Sequence, residues 1–287
     1  MLIAVLALLS AASCQSLFAP KPKGKSPLAP AHMSADCCVL DVFFVTVPFG
    51  DVRANDELWQ EIDEQRFDPD LRQRLGGNGF RVGQVGGQIP IALSQLMELN
   101  EKAAPTEETL GVATAEMAEN SRVSHRHIQT PPGQRNEIIA SGIYGQLPVL
   151  LWSKSGMVGG DIYEQAQAVL AVKAYPQSDG QVRLEITPEL QYGQPKQNFV
   201  LDTSGGVGRM DFSRPKRPFN DLAINATLAP GSMLVMCSLP NRPGSLGHHF
   251  FSEKDDKPLQ KLLIIRLSQT QRDDLFDPGE TLKLPEK

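Results

Sequence analysis

Residues 228–251 read L-A-P-G-S-M-L-V-M-C-S-L-P-N-R-P-G-S-L-G-H-H-F-F, and after a polar spacer residues 260–267 read Q-K-L-L-I-I-R-L. Short apolar runs bounded by Pro and Gly predict buried β-strands. The stretch has no nucleophile beside a base, no cluster of metal ligands and no phosphate-binding loop. It therefore predicts a β-rich fold and no catalytic, metal-binding or phosphate-binding site.

The residues before this stretch continue the β pattern. Apolar segments at 170–175 and 182–186 flank P-Q-S-D-G at 176–180, and the Asp-Gly pair predicts a hairpin turn. Val182, Leu184 and Ile186 alternate with polar residues, so they should face a core. Pro230 and Gly231 suit the centre of a type II turn. Further strands are predicted at 136–141, 147–152 and 222–228, and a helix at 161–168.

Residues 37–103 have a different pattern. C-C-V-L-D-V-F-F-V-T-V at 37–47 predicts a mostly buried strand, and F-R-V-G-Q-V at 80–85 predicts a second one. Asn55 is the predicted N-cap of a first helix, Asp68 caps a second, and Pro90 opens a third. The order β-α-α-β-α indicates a small α/β module.

The predicted fold class is therefore α+β, with a small N-terminal α/β module followed by a mainly antiparallel β-domain. The predicted boundaries are 37–103 for the module, 104–127 for a connector, 128–275 for the β-domain and 276–287 for a tail. The 287 residues, 41% apolar and 21% charged, are typical of a globular chain. A net charge of -5 argues against a nucleic-acid partner, because such proteins usually carry a basic face.

The first residues indicate export. M-L-I-A-V-L-A-L-L-S-A-A at 1–12 has the apolar character and length of the central region of a signal peptide. The small residues before Cys14 resemble a bacterial lipobox, which implies lipidation of Cys14 and a membrane anchor. The alternative is a cleaved signal in which Cys14 has no role. Residues 15–36 are rich in Pro and Lys and predict a tether. No apolar run elsewhere is long enough to predict a transmembrane helix.

Candidate chemical sites are few. His125 and His127 would lie on one face of a strand, where a metal could use them, but no third ligand is nearby in sequence. His248 and His249 would alternate across a predicted strand. The Gly-rich segments at 76–79 and 83–87 fit no phosphate-binding motif. We predict no catalytic residue, no cofactor and no metal site.

The cysteines do not form a metal or redox motif. Cys37 and Cys38 are adjacent, and no C-x-x-C pair occurs. One of the two could pair with Cys237, or all three could be small buried apolar residues.

Five segments between residues 128 and 267 occur in a familiar order. They read G-Q-R-N-E-I-I at 133–139, D-G-Q-V-R-L-E-I-T-P-E at 179–189, P-G-S-M-L-V at 230–235, P-G-S-L-G-H-H-F at 243–250 and K-L-L-I-I at 261–265. Their order resembles the C-terminal β-domain of bacterial secretins, the ring-forming outer-membrane channels of type II and type III secretion and type IV pilus systems. The resemblance implies that Leu246, Gly247 and Phe250 are structural positions.

The chain also departs from the secretin pattern. The loop at 239–243 is short, Cys237-Ser238 replaces a Gly-Gly pair, and at most one α/β module precedes the β-domain. The resemblance therefore implies a periplasmic or outer-membrane-associated component of a bacterial envelope rather than a complete channel. The predicted function is non-enzymatic, as a structural or assembly subunit whose partners are envelope proteins or further copies of itself. The alternatives are a periplasmic binding or adaptor lipoprotein, with residues 37–103 as its recognition part, and a hydrolase.

Overall fold

The structure is a computed structural model that describes residues 37–101, 123–153, 156–201, 208–254 and 257–271. Within these residues every pairing between strands is antiparallel, which confirms the prediction of a mainly antiparallel β-protein. The strands are β1 Cys37–Pro48, β2 Phe80–Val85, β3 Val123–Thr130, β4 Asn136–Trp152, β5 Val158–Pro176, β6 Val182–Gln191, β7 Lys196–Leu201, β8 Gly208–Ser213, β9 Lys216–Pro218, β10 Ile224–Leu228, β11 Met233–Ser238, β12 Ser252–Lys254 and β13 Pro258–Gln271.

Two sheets contain most of these strands. The first sheet has the order β2-β11-β13-β1-β3, with β12 paired to β13, and the second has the order β10-β6-β5-β4, with β9 paired to β6. Strands β7 and β8 form a separate two-stranded sheet. Strand β3 is an edge strand of the first sheet and β4 is an edge strand of the second.

The helices are short and follow β1 and β2. A π-helical turn at Arg53–Glu57 continues into α1 Leu58–Gln60, and α2 Pro69–Gly77 and α3 Ile91–Glu101 follow. A 3-10 turn at Asn220–Leu222 precedes β10, and α4 Leu246–Phe251 follows β11.

The first sheet is buried on both faces. One face packs on the second sheet in a large cluster that contains Leu40 and Val42 of β1. The other face packs on the first helices in a cluster that contains Val45 and Val47 of β1 together with Leu58. Because β1 is covered on both sides, its sequence is nearly continuous in apolar residues, as predicted.

The predicted boundary between an α/β module and a β-domain is wrong. Strands β1 and β2 pair with β13 and β11 in one sheet, and all the described residues belong to one unit. Residues 123–127, predicted as part of a connector, belong to β3 and pair with β1. The sequence did not predict this shared sheet because the paired strands are far apart in the chain. Pairing between distant strands has no signature in the local sequence.

The predicted helix at 161–168 is also wrong, because these residues lie in β5. Their Ala, Gln and Glu residues favour a helix locally, yet this segment pairs with β4, and Gln167 and Ala168 also pair with β6. Ala166 and Ala168 are fully buried there. The two strands predicted at 136–141 and 147–152 are parts of the single strand β4, which runs through a register irregularity between Ile139 and Ile143. In β5, Gln165 has a φ of 48°, which is uncommon for a residue other than glycine.

Two local predictions near helices need correction. Asn55 lies inside the first helical segment, where its side chain is hydrogen-bonded to Gln260, and Asp51 Oδ1 accepts from the amides of Arg53 and Ala54 instead. His248 and His249 lie in α4 rather than in a strand, because the Ser245 hydroxyl accepts from the His248 amide and begins a helical turn. The Asp68 cap, the hairpin at 176–180 and the turn around Gly231 are confirmed.

The three cysteines in the described part of the chain are free and buried. Cys38 lies in the core between the sheets, whereas Cys237 lies in the core on the helical face, so the first sheet separates them. Cys37 lies opposite Gln271 of β13, whereas Met236, next to Cys237, lies opposite Leu263, so Cys37 is also far from Cys237. No pairing of Cys237 with Cys37 or Cys38 occurs in this fold. The predictions for residues 1–36, including Cys14, and for residues 104–122 and 276–287 lie outside the described residues.

Candidate functional site

The distal half of the β4–β5 hairpin carries an exposed apolar surface. Pro148 pairs with Ile162, and Trp152 pairs with Val158, so these side chains and Leu150 share one face. Leu150, Val158 and Ile162 are 50%, 66% and 72% exposed. We call Pro148, Leu150, Val158 and Ile162 the hairpin stripe. Their neighbours on the opposite face, Leu147 and Val149, are buried.

The hairpin stripe adjoins an open sheet edge. Strand β4 has 17 residues and pairs with β5 alone among the described strands. Beyond that pairing, the Leu150 amide donates to Gly244 O at 2.9 Å near the hairpin tip. At Trp152 the Asn78 side chain covers the edge: the Trp152 amide donates to Asn78 Oδ1 at 2.9 Å, and Asn78 Nδ2 donates to Trp152 O at 3.0 Å. Before Leu150 no described strand pairs with this side of β4, and an edge of this kind can pair with another chain.

A second candidate site lies at the edge strand of the first sheet. Asp41 of β1 is directly opposite His127 of β3, and His125 lies two residues before His127 on the same face. Asp41 Oδ1 is 2.5 Å from His127 Nδ1 and 3.6 Å from His125 Nε2. One ligand atom from each residue lies within 4.8 Å of the others. Two imidazoles and one carboxylate are a donor set that transition metals use.

The carboxylate of this cluster is buried and the imidazoles are accessible. Asp41 is 7% exposed, and its Oδ1 accepts no hydrogen bond from the described residues. The His125 ring stacks on Phe43 at 4.2 Å with an interplanar angle of 3°, and this contact holds the ring beside Asp41. The His127 side chain is 67% exposed. The cluster therefore has a fixed buried donor and a side open to solvent.

The sequence pointed to the two histidines but missed Asp41, which is 84 residues before His125. One signal was available: Asp41 is the single charged residue within the apolar segment 37–47. A charge in a buried strand usually has a partner or a function. The strand pairing that brings this partner was not visible in the sequence.

A cleft with a volume of about 820 Å³ lies among α2, the hairpin tip and β9. Arg74, Trp152, Asp161, Arg217 and Phe219 are among its lining residues. Arg217 donates to Asp161 at 2.6 Å, and Arg74 donates to the Asp221 carbonyl at 2.9 Å. The described residues that line the cleft include no histidine and no cysteine.

The remaining predicted candidates do not converge on a site. His248 Nδ1 lies 3.2 Å from Ser252 Oγ, four residues away at the end of α4, which is a local contact. Burial raises the pKa of the Cys38 thiol to about 11 and that of the Cys237 thiol to about 12. Both thiols are therefore protonated at neutral pH, and they pack as small apolar groups.

Comparison of this chain with family models, with curated proteins and with solved structures finds no match. Among the described residues, no helix combines the length and the apolar character needed to cross a membrane.

Proposed function

We propose that this protein is a non-enzymatic, exported envelope component that self-associates through its β4–β5 hairpin. The observation that carries the proposal is the combination of the hairpin stripe with the adjoining β4 edge, which has no partner strand before Leu150 among the described residues. Soluble proteins usually protect long edge strands with charges, bulges or a covering element. An edge of this length beside exposed Leu150, Val158 and Ile162 is therefore best explained by a partner that covers it.

The partner that we propose is a second copy of the same chain. A second β4–β5 hairpin would supply both a strand to continue the sheet and apolar side chains to cover the stripe. Pro148 lacks a backbone donor, so pairing would be continuous only along the residues before it. The resemblance to secretin β-domains supports this choice, since those domains assemble into rings.

The envelope location rests on residues 1–36. The apolar run at 1–12, the small residues before Cys14 and the Pro/Lys-rich tether fit a lipid-anchored protein held away from a membrane surface. Palmitate labelling of the wild type beside Cys14→Ser tests the anchor. Label on the wild type that is lost in the variant supports the proposal, and a wild type without label contradicts lipidation.

The self-association is tested by the native mass of the full chain extracted from envelopes in mild detergent, measured by light scattering after size exclusion. We expect an oligomer for the wild type and a shift to monomer for Ile162→Lys, because a charge in the stripe would be buried at the interface. Ile91→Lys is the matched control, since Ile91 is 70% exposed and lies on α3, away from the hairpin. A monomeric wild type, or an equal response of both variants, would contradict the proposal.

A second candidate function is a periplasmic binding or adaptor protein with the helical part of residues 37–103 as its recognition surface. The observation that favours it is a separate set of exposed apolar side chains in that part: Val52, Ile89 and Ile91. If the protein has this adaptor function, Ile91→Lys should abolish the capture of an envelope partner, and Ile162→Lys should not. The same two variants therefore distinguish the two functions.

A further inference from the structure

We propose that Asp41, His125 and His127 bind one divalent transition-metal ion, of the class represented by Zn²⁺. The proposal does not depend on the function proposed above. It starts from the strand register: Asp41 faces His127 across the β1–β3 pair, and the adjacent pair Phe43–His125 brings the second imidazole to the same face. Three donor atoms from two neighbouring strands thus converge within 4.8 Å.

The state of the carboxylate supports a ligand rather than a structural ion pair. The register also places Arg266 of β13 opposite Asp41, yet among the described residues the nitrogens close to the Asp41 carboxylate belong to the two imidazoles and not to Arg266. Asp41 Oδ1 is buried and accepts no hydrogen bond from the described residues, although it lies 2.5 Å from His127 Nδ1. A buried carboxylate oxygen without a hydrogen bond is costly, and coordination to a cation removes that cost.

The geometry needs only a small adjustment to hold the ion. Zinc binds imidazole nitrogen and carboxylate oxygen at about 2.0–2.2 Å, so two ligand atoms on a tetrahedral ion lie roughly 3.3 Å apart. The distance from Asp41 Oδ1 to His125 Nε2, 3.6 Å, is close to that value, and the distance to His127 Nδ1, 2.5 Å, is too short. The exposed His127 side chain is free of core packing, so a rotation can bring its nitrogen outward.

Three protein ligands leave a coordination position for water or for a group from outside. His127 is the most exposed ligand, so this position faces solvent. The bound ion would also join the edge strand β3 to β1. Any ligand that binds the folded chain and not the unfolded chain raises the unfolding temperature, so zinc should stabilise the protein in a concentration-dependent way.

The test is calorimetric titration of ZnCl₂ into the full-length protein after removal of metals with a chelator. We expect one ion per chain, and at least tenfold weaker binding for Asp41→Asn and for His127→Asn, since loss of even an outer-sphere partner costs about 10- to 100-fold. His127→Asn is the decisive variant because its exposed position makes misfolding a poor explanation. His32→Asn is the control that retains the three ligands and should bind as the wild type does.

Titration with Co²⁺ gives a second readout that does not depend on stability. Nitrogen and oxygen ligands give visible d–d bands without the near-ultraviolet thiolate-to-cobalt band that a cysteine ligand would add. Absence of saturable zinc binding would overturn the proposal. So would a thiolate band, equal zinc affinity in His127→Asn and wild type, or loss of binding in His32→Asn. The unfolding temperature of each metal-free variant, measured in parallel, identifies a variant whose loss of binding comes from misfolding.

Discussion

At the scale of single residues, the second sheet contains a charged network whose centre is buried. Arg135 contacts both carboxylate oxygens of Glu189 at 2.6 Å, and the Glu189 side chain is 5% exposed. The hydrogen bond to Glu189 raises the pKa of Arg135 above its ordinary value. Burial opposes ionisation of Glu137, but hydrogen bonds from Lys216, Arg135 and Gln191 outweigh it and lower its pKa to about 2. Arg135 and Glu137 therefore keep their charges at neutral pH.

Replacing Glu189 by Gln should destabilise the protein strongly. The substitution keeps the shape but leaves the Arg135 guanidinium without its buried counter-charge, and removal of one partner of a buried pair costs about 3–5 kcal/mol. Since Arg135 is 33% exposed, we expect the lower end, about 3 kcal/mol, in urea unfolding.

Glu185→Gln on the same strand is the control for this prediction. Glu185 pairs with Arg183, and their side chains are 33% and 43% exposed, so the loss should stay below about 1 kcal/mol. Equal effects of the two substitutions would show that the Glu189 pair adds no more than a surface ion pair does.

At the scale of elements, strand pairing overrode local preference. Residues 161–168 have the composition of a helix, but pairing with β4, and with β6 at Gln167 and Ala168, made them the middle of a 19-residue strand. Conversely, residues 246–251 are apolar and aromatic like a strand, but the Ser245 cap begins a helix there. Leu246, Gly247 and Phe250 are buried in that helix, which agrees with their predicted structural role.

The contact of α4 with β2 depends on Gly247. Its amide donates to Asn78 O at 2.8 Å, and a Cβ at this position would lie 2.2 Å from Gly79 O. Gly247→Ala must therefore push α4 away from backbone atoms, and overpacking of this kind costs about 1–3 kcal/mol or more. We expect that loss in urea unfolding.

Gly145→Ala is the matched control for Gly247→Ala, because a Cβ on Gly145 meets no atom within 4 Å. Its effect should lie within about 0.5 kcal/mol. A similar small effect of Gly247→Ala would mean that α4 moves freely on β2.

At the scale of the whole molecule, the first sheet ties the two ends of the described chain together. The central strands β13 and β1 pair along twelve residues of β1, and β2 pairs with β11. The π-helical turn, α1 and α3 pack on this sheet in a cluster that also contains Val235 of β11 and Ile264 of β13, so these two strands supply part of the core of the helices. The protein should therefore unfold as one cooperative unit rather than as a module and a domain.

Fragment 37–103 tests this expectation. Produced alone, it should show no cooperative urea transition and no slowed amide exchange, because β1 and β2 would lack their partners. Fragment 37–271, which retains all described strands, should show a single transition with protected amides. Cooperative unfolding of the 37–103 fragment would show that it is a separate module. It would then support the adaptor function proposed for that module.

The sequence by itself determined the features that depend on neighbouring residues. The buried strand at 37–47, the cap at Asp68, the hairpin turn at Gly180 and the turn at Gly231 all follow from side-chain preference or backbone freedom within a few positions. Tertiary structure alone decided which distant strands pair. That pairing merged two predicted parts into one sheet, left the β4 edge open, and placed Asp41 beside His125 and His127. Such contacts depend on the free energy of burying both faces of a shared sheet. This free energy cannot be inferred from the local pattern of residues in any one strand.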